Sequence, residues 1–162
     1  MTVVIDVGCA THDTEQSIPL LLERFAPSVL YGVDPHPATR YDDPRVIVDQ
    51  RAAWTRNGRV GYTATDKPTH SYTFPDGRGH DVACFDLAEL VLALQDRYGE
   101  PVVLKLDCEG AEYPLLEHLI DQDVDTTLSL LLVEWHRQGI DDCDARRANL
   151  EDRLRCPVEE WL

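Results

Sequence analysis

The chain has 162 residues, 43% of them hydrophobic and 28% charged, with 10 Pro and 9 Gly. That is enough for one well-filled domain and too little for two ordinary ones, so residues 1–162 read as a single domain rather than as disordered chain, collagen or coiled coil. Lys and Arg number 15 against 30 Asp and Glu, a formal charge of −15, which disfavours nucleic acid and anionic membrane and leaves neutral or cationic small molecules as the ligands to expect.

No apolar run approaches the roughly 20 residues of a spanning helix. The opening Met-Thr-Val-Val-Ile-Asp lacks the basic region and cleavage site of a leader, so a cytoplasmic location is expected. Five cysteines (Cys9, Cys84, Cys108, Cys143 and Cys156), odd in number and with no C-x-x-C, read as reduced thiols rather than disulfides or zinc ligands.

Thr2 to Val7 is a β-branched apolar run, as a strand buried on both faces should be. Asp13 with Gln16 signals a helix start, and Ile18, Leu21, Leu22 and Phe25 form its apolar stripe up to Pro27. Ser28 to Val33 is a second strand, ended by Asp34-Pro35-His36-Pro37, and Arg45 to Val48 a third. Between Thr55 and Gly79 the character changes, and Val60, Tyr62 and Thr63, then Ser71 to Phe74, suggest short antiparallel strands or an irregular excursion. Asp86 and Glu89 cap a helix carrying Leu87, Leu90, Val91 and Leu94. Pro101 to Leu106 is another buried strand, and Pro114 opens a helix with Leu115, Leu116, Leu119 and Ile120. Thr127 to Val133 is a further strand, Asp142 to Arg155 a polar helix, and Cys156 to Leu162 a short closing strand.

Strands alternating with amphipathic helices predict an α/β, doubly wound and mainly parallel sheet, in which ligands bind beyond the carboxyl ends of the strands. Those ends are rich in polar residues: Asp6, Gly8, Cys9 and His12 after the first strand, Asp34 and His36 after the second, Asp49 after the third. Asp107, Glu109 and Glu112 follow the strand that ends at Leu106, and Glu134 and His136 follow the last buried one. So many carboxylates are costly to bury without partners, which points to a cleft or a polar ligand. Asp6-x-Gly8 before a helix, with an acid at the end of the next strand, is the skeleton of a nucleoside site. Ala10 and His12 stand where a dinucleotide motif has glycines, which favours a nucleoside without phosphates. Lys105, beside the acidic cluster, either pairs with a carboxylate or points to the cleft. Trp54 and Trp135 are candidates for stacking on a ring as well as for the core, with the core the expectation for Trp54.

Three stretches, Val4-Ile-Asp6-Val-Gly8-Cys9-Ala10, Tyr31-Gly-Val-Asp34-Pro35-His36-Pro37 and Leu104-Lys-Leu-Asp107-Cys-Glu109-Gly-Ala-Glu112, with Glu134-Trp-His136 after the next strand, carry a resemblance. The chain resembles class I S-adenosylmethionine-dependent methyltransferases, specifically the FkbM family of O-methyltransferases, from about Val3 to His136. The resemblance implies a Rossmann-like sheet in the order 3-2-1-4-5, here in a minimal form with an abbreviated C-terminal edge that leaves room for self-association. It implies methionine contacts near Asp6, Gly8, Cys9 and His12, ribose contacts from Asp34 beside Pro35, and adenine contacts around Ala52 and Ala53. Asp107 and Glu109 would face the transferred methyl and the acceptor, a hydroxyl of a small molecule or carbohydrate.

Methyl transfer from a sulfonium to a hydroxyl needs in-line positioning and removal of the hydroxyl proton. His136 is the expected proton acceptor, since a neutral imidazole titrates near working pH, with Glu134 orienting it or holding the acceptor. No metal is assigned. A non-catalytic module that only binds the nucleoside is the second reading. A metal-dependent hydrolase is the third, with ligands from His12, Asp13, Asp34, His36, Asp107, Glu109, Glu134 and His136 but no H-E-x-x-H or H-x-H pattern to support it.

Overall fold

A computed structural model describes residues 1–10, 16–36, 40–63, 72–74, 79–137 and 140–161. The expectations placed on His12 and Asp13 lie outside the described residues. The elements run β1 (Val3–Val7), α1 (Ser17–Phe25), β2 (Val29–Val33), β3 (Val46–Asp49), β4 (Ala52–Trp54), β5 (Gly58–Thr63), β6 (Tyr72–Phe74), β7 (His80–Asp86) and α2 (Leu87–Tyr98). They continue with β8 (Val102–Leu106), α3 (Glu112–Asp121), a 3-10 turn (Val124–Thr127), β9 (Leu128–Val133), α4 (Cys143–Arg153) and β10 (Val158–Glu160).

The central sheet has six strands in the order β10-β9-β8-β1-β2-β3, and every pairing in it is parallel. The architecture is α/β and consistent with a Rossmann-like fold. Alternation along each strand sends side chains to two cores. Val3, Ile5 and Val7 join Leu104, Leu106, Leu115 and Leu119 on the face covered by α2 and α3. Val4, Leu30, Val103 and Leu132 pack beneath Ile18 and Leu21 of α1 on the other. Asp6 on β1 and Lys105 on β8 stand opposite each other in the register and continue the α1-side rows of Val4 and Val103. Two charged groups therefore enter an otherwise apolar layer.

A second sheet, in the order β4-β7-β5-β6, packs Trp54, Val60 and Phe85 into the α2-side core. The antiparallel pair expected at 60–63 and 71–74 is present as β5 and β6. The strands β4 and β7 are additions to the sequence reading. Asp86 caps α2 as expected, accepting from the N–H groups of Ala88 (2.9 Å) and Glu89 (3.4 Å), and Gly99 ends the helix at φ +62°. The helix expected from Pro114 begins two residues earlier, which leaves the proline in the first turn. No helix among the described residues is long and apolar enough to cross a membrane.

Candidate functional site

The carboxyl ends of β1, β2, β8 and β9 meet around the turn at Gly8. Its N–H donates to the Val33 carbonyl (2.9 Å), and Gly8 adopts φ +86° with an imagined Cβ 1.6 Å from the Asp107 carbonyl oxygen. Close approach to β8 is thus sufficient reason for a glycine here. Beneath this turn Lys105 Nζ lies 3.0 Å from Asp6 Oδ1 and 2.9 Å from Asp107 Oδ2, and donates to the Gly8 carbonyl (3.3 Å). Ser17, at the start of α1, donates to Asp6 Oδ2 (2.5 Å).

Asp6 and Lys105 are fully buried. Burial pushes the Asp6 carboxyl upward against the pull of Lys105 and Ser17. Burial also opposes charge on Lys105, but the two aspartates outweigh it and hold the ammonium above its ordinary range. Of the two readings left open for Lys105, the structure selects the ion pair. Asp6 sits below the rim, so it supports the Gly8 turn rather than lining the opening.

The rim is acidic. Asp107 and Glu109 lie in the segment between β8 and α3, where Glu109 (φ +52°) and Gly110 (φ +98°) both take left-handed backbone. For a glutamate this conformation costs on the order of 1 kcal/mol. Glu112, in the first turn of α3, is entirely buried. It accepts from Gly110 N–H (2.8 Å) and His136 N–H (2.9 Å) and contacts His136 Nδ1 at 3.2 Å. With Nδ1 so engaged, His136 Nε2 faces Asp107 Oδ1 (3.8 Å), Glu109 Oε2 (3.7 Å) and Glu134 Oε1 (3.7 Å).

Burial works against protonating this imidazole, yet Glu112, Glu109 and Asp107 overcome it and raise its pKa to about 9. The surrounding carboxylates thus favour the protonated imidazole over the neutral form that the sequence reading gives a proton acceptor. The Glu134 carboxyl is shifted upward too. Burial, then the charge of Asp107, raises its carboxyl to about 7. Ligand atoms of Asp107, Glu134 and His136 lie within 4.8 Å of one another.

On the nucleoside side, Asp34 follows β2 as expected but is only 6% exposed, its Oδ1 accepting the His36 N–H (2.8 Å). Pro35 and His36 beside it are half-buried, and Cys9 is buried. Ala52 and Ala53 are buried in β4 with their side chains in the core. Trp54 is core as well. Trp135 packs against Tyr113 (centroids 5.5 Å apart) with the Arg147 guanidinium over its ring. Neither tryptophan stands free for stacking.

Sequence reasoning missed a cavity of about 430 Å³ lined by Tyr31, Arg40, Tyr41, Val46, Val48, Asp49 and Gln50 at the β2–β3 edge. The Tyr41 hydroxyl reaches the Cys9 carbonyl (3.5 Å), so the cavity abuts the turn after β1. Tyr31 on β2 and Tyr41 before β3 line it from separate stretches of chain, which leaves no short-range signal. In comparisons with protein-family models, with curated proteins and with solved structures, the chain matches none.

Proposed function

We propose that the chain is an S-adenosylmethionine-dependent O-methyltransferase acting on a hydroxyl of a neutral or cationic small molecule or carbohydrate. The observation that carries this reading is the convergence of Asp34, Asp107, Glu109, Glu134 and His136 on one rim of a parallel sheet, around the sharp turn at Gly8. The run β3-β2-β1-β8-β9 within the central sheet accords with the 3-2-1-4-5 order that the resemblance to FkbM enzymes implies.

The donor set fits the cofactor. Bound there, S-adenosylmethionine supplies an electrophilic methyl on a sulfonium, whose positive charge suits a rim of carboxylates in reduced dielectric. The cavity next to the Gly8–Cys9 turn has room for the adenine, with Tyr31, Tyr41, Val46 and Val48 to pack against it and Arg40, Asp49 and Gln50 as polar partners. Asp34 takes the ribose hydroxyls in place of the His36 N–H it now holds. Gly8 lets the backbone pass close to the ligand, and Lys105 keeps that turn and Asp107 fixed from below. On the acceptor side the carboxylates of Asp107, Glu109 and Glu134 accept hydrogen bonds from hydroxyl groups, with His136 Nε2 facing the same space. Hydroxyl compounds satisfy both kinds of group, while anionic acceptors are repelled.

Calorimetric titration with S-adenosylmethionine and with its demethylated product tests the reading. Both should bind one per chain, and Asp34→Ala should weaken that binding at least ten-fold without changing the fold by circular dichroism. Equal affinity in the variant removes the ribose assignment, and absence of binding by both ligands removes the enzyme.

A further inference from the structure

We propose that Asp107 Oδ1, Glu134 and His136 Nε2 form a binding site for one divalent transition-metal ion of the Mn²⁺ or Zn²⁺ type, placed where the acceptor oxygen would lie. The three groups come from two neighbouring strand ends, Asp107 after β8 and the other two after β9, and their ligand atoms fall within 4.8 Å of one another. Two ligands each about 2.1 Å from a common ion stand roughly 3.0–3.5 Å apart. The imidazole nitrogen lies 3.8 and 3.7 Å from the two carboxylate oxygens, so those two separations need to close by only a few tenths of an ångström, while the carboxylates lie within 4.8 Å of each other. At those distances the carboxylates are beyond hydrogen-bond reach of Nε2, so the arrangement as it stands leaves room between them.

Two features outside the ligand set aim these atoms inward. Glu112, with no exposed surface, holds Nδ1 at 3.2 Å and the His136 backbone N–H at 2.9 Å. A carboxylate on the far nitrogen is the support that metal-bound histidines ordinarily have, fixing ring orientation and raising ligand basicity. Lys105 takes Oδ2 of Asp107 at 2.9 Å and is itself shared with Asp6 and the Gly8 carbonyl, which leaves Oδ1 directed at the imidazole. Balance of charge agrees: Asp107, Glu109, Glu112 and Glu134 surround the His136 imidazole, and Lys105, the lysine among the described residues, is already divided between two aspartates. One nitrogen and two carboxylate oxygens suit Mn²⁺ or Zn²⁺ better than a softer thiolate-seeking ion, and three protein ligands leave open positions for water or a substrate oxygen.

The ion site stands without any statement about the cofactor. Its role, polarising the acceptor hydroxyl behind the methyl group, rests on the methyl-transfer reading. The full chain, stripped with chelator, is titrated with Mn²⁺ followed by electron paramagnetic resonance of the free ion, and with Zn²⁺ by calorimetry. One ion per chain is expected. Glu134→Gln and His136→Gln should each weaken it more than ten-fold, Glu112→Gln about 10- to 100-fold through the imidazole, and Asp81→Asn, an exposed acid in the second sheet, should leave it unchanged. Because Glu134 is partly exposed, its variant folds even if the His136 variant does not. No binding, or binding that Glu134→Gln leaves intact, overturns the site. Metal binding by a chain that ignores S-adenosylmethionine would uphold the ion site and sink the methyltransferase reading alone.

Discussion

Gly8 meets the end of β8 so closely that a single methyl group decides whether the rim can form. Its φ of +86° and the 1.6 Å separation between an added Cβ and the Asp107 carbonyl oxygen oppose any side chain on two independent grounds. The obstacle is backbone, which cannot swing aside as a side-chain tip does. Gly8→Ala should therefore lower unfolding free energy by about 4 kcal/mol or more, among the largest effects a single substitution produces, read as a lowered urea midpoint. A loss under about 1 kcal/mol, the size of a left-handed alanine alone, would mean that the β1–β8 contact is looser than described. His136 shows the same dependence on setting. Its position after β9 is readable from sequence, but its charge state depends on Glu112, 24 residues away, and nothing local announces that pairing.

Among the elements, the strands of the central sheet are legible because a parallel strand covered on both faces must be apolar at every position. VVIDV, VVLKL and LSLLLV declare themselves this way. Ser129 in β9 is polar and exposed, whereas the charged exceptions, Asp6 and Lys105, are a buried pair that neither run betrays alone, since they meet only through the β1–β8 register. The strands β4 and β7 escape notice for the opposite reason. Ala-Ala-Trp is too short for a period, and His80–Asp86 begins with two exposed polar residues. The clustering of Asp107, Glu109, Glu134 and His136 was readable from the strand-end rule, whereas the Tyr31–Tyr41 cavity was not.

Long-range ties also hold the C-terminal elements in place. The fully buried Asp125 of the 3-10 turn receives the backbone N–H of Arg155 (3.0 Å) and its guanidinium through Nε (3.1 Å) and Nη2 (2.5 Å), which pins the chain between α4 and β10. Burial pushes the Asp125 carboxyl up, but these donors prevail and hold it below its usual range. A carboxyl depressed on folding stabilises above its unfolded pKa of roughly 4 and loses that contribution as pH falls through the folded value. Asp125→Asn should cost about 2 kcal/mol at pH 7, the scale of hydrogen bonds to a charged group, and the curves of variant and parent should converge in acid. A variant as stable as the parent at pH 7 would show the tie to be incidental.

For the molecule as a whole, the formal charge of −15 is spread over 8136 Å² of accessible surface, so neighbouring excess charges average roughly 23 Å apart. That spacing lies inside the Debye length of about 30 Å at 0.01 M salt and well outside the 10 Å at 0.1 M. Self-repulsion should thus destabilise the fold at low salt and be largely screened at moderate salt. Exposed pairs such as Arg24–Glu159, Arg146–Glu117 and Arg153–Asp121 respond in the opposite sense, but each contributes only about 0–1 kcal/mol. The repulsion is the larger effect if it acts through all the excess charges at once. The thermal midpoint should then rise between about 0.01 and 0.1 M sodium chloride and change little beyond, where the Debye length is already shorter than the charge spacing. A midpoint that falls over the first interval would mean the arginine pairs outweigh the net charge, and that the acidic surface is already neutralised locally where it is densest.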